Sequence, residues 1–99
     1  MEWFAVRHVI EDSGAYEERV TLWEVASDDE AIARAEEEAS LYAAALGGNA
    51  LGLFQSYRLD EPPAHGREIF SLIRTSALPP EQYLDTFFDS GHEHQRTDG

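Results

Sequence analysis

Residues 2 to 11, EWFAVRHVIE, carry aromatic and β-branched side chains without helical spacing and predict a strand. Asp12, Ser13 and Gly14 supply turn chemistry, and residues 16 to 26, YEERVTLWEVA, predict a second strand returning beside the first. Ser27 followed by Glu30 forms a capping box, in which the serine oxygen accepts from an orphan amide and the glutamate reaches back to the amide of Ser27. A long helix therefore starts there. Ile32, Ala35, Ala39, Tyr42 and Leu46 recur at spacings of three and four and mark its sheet-facing stripe, and Gly47 and Gly48 end it.

Two further strands are expected at residues 50 to 59, ALGLFQSYRL, and 67 to 75, REIFSLIRT, joined by the proline-bearing loop DEPPAHG. Pro79 and Pro80 fit only a first helical turn, so PPEQYLDTFFD predicts a short second helix with Tyr83, Leu84, Phe87 and Phe88 on one side and Gly91 closing it. The expectation is one α+β domain over residues 1–91, ordered ββαββα. A four-stranded, mainly antiparallel sheet carries the long helix on one face and the short helix on or beside the other. Residues 92–99 hold no large apolar side chain to tie them down and are expected to be a disordered tail.

The sheet is apolar on both faces. Phe4, Val6 and Ile10 alternate with Trp3, Ala5 and Val9 in the first strand, and Val20 and Leu22 with Trp23 and Val25 in the second. One long helix shelters one face, so the side expected to carry Trp3 and Trp23 needs another cover: the short helix and a second copy of the chain.

Composition narrows the partners. Twenty acids face seven bases, all arginine, for a net charge of −13, which disfavours nucleic acid and anionic membrane surfaces. Eleven acids against two arginines crowd residues 11 to 38, a stretch with nine net negative charges that suits a basic protein partner. The absence of cysteine removes disulfides, zinc-thiolate clusters and thiol nucleophiles and fits a reducing cytoplasm. No targeting leader is expected, nor any apolar run of the roughly 18 residues that a spanning helix needs.

Among chemical candidates, Asp60, Glu61, His65 and Glu68 around the proline loop are the constellation in which carboxylates and an imidazole would share a metal or move protons; their spacing fits a wet hairpin loop better. Asp28, Asp29 and Glu30 favour the positive end of the helix, and Glu36 and Glu37 read as its solvated face. Leu41, with Ala33 and Ala44, makes a shallow apolar strip near Glu37. His8 reads as a packed strand residue, and His92 and His94 sit in the tail. No phosphate loop or nucleophile elbow is present, and no catalytic residue, metal or cofactor is assigned. Possible partner-binding residues are Trp3, Trp23, Glu17, Glu18, Glu37 and Leu41.

The stretches WFAV at Trp3, YEERVTLWEVASDDEAIARAEEEA at Tyr16 to Ala39, and SYRLDEPPAHGREIFSLI ending at Ile73 resemble the bacterial family catalogued as domain of unknown function 4288. The resemblance covers about three quarters of the chain. It implies a compact α+β domain with no assigned activity and hence no catalytic residue to carry over, and EQYLDTFFDSGHEHQR reads as a subgroup's extension. The functional expectation is a non-enzymatic protein-binding or self-associating module, a homodimer through the leftover apolar face. The alternative is an immunity or antitoxin protein that occludes a basic toxin with Glu11, Asp12, Glu17, Glu18, Glu36, Glu37 and Glu38.

Overall fold

A computed structural model of the chain describes residues 1–88. It is an α+β fold: β1 (Glu2–Asp12), β2 (Ala15–Val25), α1 (Asp28–Leu46), β3 (Asn49–Arg58) and a short α2 (Pro80–Tyr83) that runs into a wider π-helical turn, Leu84–Phe88. The sheet is antiparallel with order β2-β1-β3, so the first strand in the chain is the central one. No helix among the described residues is long and apolar enough to cross a membrane.

The β1–β2 turn uses Ser13 at φ 53° and Gly14 at φ 83°, both in the left-handed region that a two-residue hairpin turn of the primed type requires. Its register pairs Asp12 with Ala15 and, further along, Phe4 with Trp23, Val6 with Thr21 and His8 with Arg19. Directly opposed residues share a face. The helix side of the sheet is therefore built from even positions of β1 and odd positions of β2, which separates the two tryptophans: Trp23 lies with Phe4 under α1, and Trp3, opposite Glu24, lies on the outer face. Their expected common side does not exist, because a two-residue turn inverts the parity from one strand to the next.

Ser27 caps α1, accepting from the Glu30 amide at 3.2 Å, while the Glu30 carboxylate reaches one residue beyond the capping-box expectation to the amide of Ala26, at 3.1 Å. Gly47, at φ 78°, ends the helix, its amide and that of Gly48 bonding back to Ala44 and Ala43. The buried stripe is Ala31, Ala35, Ala39 and Ala43, which keeps Ala35 and Ala39 of the expected one but is rotated from its other members: Ile32 and Tyr42 are half-buried flanks and Leu46 is half exposed. Methyl groups rather than isobutyl groups meet the sheet, whose helix side already supplies the bulk of Phe4, Val6, Ile10, Trp23 and Phe54. Alanine lets the two layers close without a second tier of large side chains. Beyond the helix the chain passes so near β1 that a Cβ on Gly48 would stand 2.6 Å from the Glu11 carbonyl oxygen, which leaves room for glycine alone.

The expected fourth strand is not formed: residues 67–77 are irregular and the sheet has three strands. Its apolar residues come in adjacent pairs, Ile69-Phe70 and Leu72-Ile73, so no single alternation commits one side of the segment to the sheet. Phe70 instead turns onto the outer face, edge-on to Tyr57 of β3 with ring centroids 4.9 Å apart and 5.7 Å from the Arg7 guanidinium of β1. Beyond it, α2 and the following turn leave Leu84 and Phe87 about half exposed, so their expected apolar side is not buried. The expected helix end at Gly91, the tail at 92–99 and its histidines lie outside the described residues.

Candidate functional site

The outer face has the character of a partly covered surface. Ala5 at its centre is fully buried, and Trp3, Val9 and Leu22 around it are half-buried. Arg7 bridges from β1 to Glu18 of β2 and under Phe70. Towards β2 the cover opens into a cleft of about 480 Å³, lined by Arg7, Glu18, Val20, Leu72, Arg74 and Phe87. Arg74 stacks on Phe87 at 5.1 Å, and Phe87 in turn leans on Tyr83. Val20, Leu72 and Phe87 remain 40%, 44% and 46% exposed. Large apolar side chains grouped at such exposure are unusual for a surface that meets only water.

A second cleft, of about 580 Å³, lies along the edge of β3 and gathers Asp60, Glu61 and Glu68 from the proline loop with Asp28 at the start of α1. Ser56 donates to Asp28 Oδ1 at 2.7 Å, which ties the strand edge to the helix. Arg58 pairs with Glu2 at 2.9 Å, and Arg67 with Glu61 at 3.4 Å while also donating to the Pro62 carbonyl. His65 does not line this cleft; it occupies the turn completed by Gly66 at φ 79°. The loop constellation is thus brought together in three of its four members, and among the described residues no group of three metal-ligating side chains converges.

Of the remaining sequence candidates, Trp23 packs under α1 and donates to Thr21 Oγ1 at 2.8 Å, and Glu17 on the same side accepts from the Tyr42 hydroxyl at 2.7 Å. Trp3 and Glu18 belong to the outer face, while Glu37 and Leu41 project from the solvent side of α1, Leu41 69% exposed. The six residues fall on three surfaces and compose no single one.

A polar cluster that the sequence reading did not assemble sits between α1 and the sheet. Arg19 of β2 forks onto Glu38 of α1 through two bonds of 2.9 and 3.0 Å, lies 3.7 Å from the centre of the Tyr42 ring, and donates to His8 Nε2 at 3.2 Å. His8 is 1% exposed and stacks on Phe54 of β3. Arginine can only donate, so Nε2 accepts and the neutral imidazole carries its proton on Nδ1, which has no hydrogen-bond partner. Burial, and then the Arg19 charge, pull the His8 pKa below its ordinary value, against the smaller upward pulls of Glu38, the Val6 backbone and Glu17. The unfolded chain therefore takes up a proton near pH 6.5 that the folded chain resists, and stability falls as the pH drops below about 6.5 toward the lowered folded value. Urea midpoints measured from pH 7.5 to 5 should decline, and His8→Gln, which cannot titrate, should flatten that decline. The clue available in the sequence was the two-residue turn: it sets His8 opposite Arg19, while Glu38 and Tyr42 share one helix face.

No protein-family model matches the chain, and no curated protein or solved structure is significantly similar to it. Any functional reading therefore stands on the geometry above.

Proposed function

We propose that the protein is a non-enzymatic protein-binding module of the cytoplasm that associates with a second copy of itself through the outer, C-terminal side of its sheet. The observation that carries this reading is the exposed apolar group of Val20, Leu72 and Phe87 around the cleft on the face opposite α1. Charge favours the same place. Residues 67–88 hold Arg67 and Arg74 against Glu68, Glu81 and Asp85, so two chains of net charge −13 repel least when they meet there. Mixed signs around an apolar centre also suit the self-complementary contact of a two-fold dimer.

Sedimentation velocity at micromolar concentration should give a dimer that persists as salt is raised, and Leu72→Glu should convert it to monomer with the far-ultraviolet spectrum unchanged. A wild-type chain that stays monomeric at about 100 μM would remove the self-association. The second reading, an inhibitor of a basic protein, draws its support from the exposed Glu36 and Glu37 and the acidic stretch around them. Its complex would weaken steeply with salt, unlike an apolar dimer.

A further inference from the structure

β3 is bonded on one side only. The amide of Leu59 donates to the Trp3 carbonyl at 2.8 Å, which makes that pair a hydrogen-bonded one. The antiparallel alternation then directs the backbone groups of Tyr57 and Gln55 to β1 and those of Ser56 and Arg58 away from it. The outward groups open into the larger cleft, whose opposite wall is the irregular stretch Arg67–Ser71. That wall is unsatisfied too: among the described residues its one backbone hydrogen bond is from the Arg67 amide to the Ala64 carbonyl. Phe70, anchored on Tyr57 and Arg7, holds the wall off the strand instead of letting it close as a fourth strand. The result is a gap with main-chain donors and acceptors on both sides, and its 580 Å³ falls within the roughly 300–1,000 Å³ of ligand sites.

The charges around the gap are unbalanced. Arg58 and Arg67 are already engaged by Glu2 and Glu61. Asp28, Asp60 and Glu68 line the gap, and none has a cationic partner among the described residues. We propose that this gap takes an extended, lysine- or arginine-bearing segment of another protein as an added strand on β3, its backbone bonding to Ser56 and Arg58 and its cations meeting Asp28, Asp60 and Glu68. The proposal rests on the reading of the chain as a protein-binding module but not on its self-association. A second copy is the poorer occupant, because it would bring its own thirteen net negative charges to the acidic start of α1, where Asp28, Asp29 and Glu30 cluster.

The test is an amide-resolved NMR titration of the full chain with an end-capped peptide of alternating lysine and valine. Expected are shifts and slowed exchange at the Ser56 and Arg58 amides, no binding of the same peptide with glutamate for lysine, and loss of binding when alternate peptide nitrogens are methylated. The double substitution Asp60→Asn with Glu68→Gln should weaken binding by about tenfold. No shift at about 1 mM peptide, or binding that maps to the outside of α1 and survives N-methylation, would overturn the proposal. So would Ser56 and Arg58 amides already protected in the free protein, the sign of closure by residues 67–75 of the same or a second chain. A monomer that binds the peptide defeats the self-association and leaves this inference standing; a dimer that does not bind it has the reverse effect.

Discussion

Phe4→Ala is expected to lower stability by about 3–5 kcal/mol, the largest effect of any single truncation in the chain. Phe4 lies on the helix side of the central strand, 2% exposed, packed with Val6, Val25, Ala31 and Ala35 and flanked by Trp23 and Phe54. Its removal forfeits transfer free energy and leaves a hole that neighbours on three elements cannot refill, because the facing helical residues are alanines with no rotamers to swing into the space. A domain of this size is typically stable by about 5–15 kcal/mol, so the variant should show a urea midpoint reduced by about a fifth or more with an unchanged slope. A loss under about 1 kcal/mol would mean that the helix does not sit on this face as described.

The second large effect runs the other way, from a gain in volume. Ala35→Leu introduces three carbons at a fully buried position and should cost about 1–3 kcal/mol, since α1 must lift from the sheet or β1 must bend. The same change at the exposed Ala33 should stay within about 0.5 kcal/mol, although leucine and alanine propagate helix almost equally at both positions. Near-ultraviolet circular dichroism separates the two, because Trp23 packs against the cluster that contains Ala35 and reports its disturbance. Equal costs at the two positions would remove the alanine seam from the account.

These predictions also show where local sequence chemistry reaches and where it stops. The hairpin, the Ser27 cap and the glycine stop were legible because each is set by residues within four positions of one another. The seam was legible only in Ala35 and Ala39: ranking side chains by hydrophobicity favours Ile32 and Leu46 over Ala31 and Ala43, whereas the space left above Phe4 and Ile10 selects the smallest apolar residue. The tryptophans were assigned one side because strand alternation was read without the parity that a two-residue turn imposes. Residues 67–75 have the composition of a strand but lack its alternation, and Phe70 resolves the ambiguity by a contact across the sheet that no nearby residue announces. The candidate site inherits that outcome. Asp60, Glu61 and Glu68 were legible as a group, but the cleft between them and β3 follows from an unpaired edge, which is a property of the whole sheet.

The central place of β1 has a consequence for how the molecule is made. Glu2–Asp12 leaves the ribosome ahead of the other two strands, and β2 can fold back on it at once, but the other flank of β1 must wait for Asn49–Arg58, with the whole of α1 synthesised in between. During that interval a greasy ribbon with one raw border is on offer to any neighbouring nascent chain. Slow translation through α1 would lengthen that exposure, and a chaperone that shields extended apolar segments would find its client there.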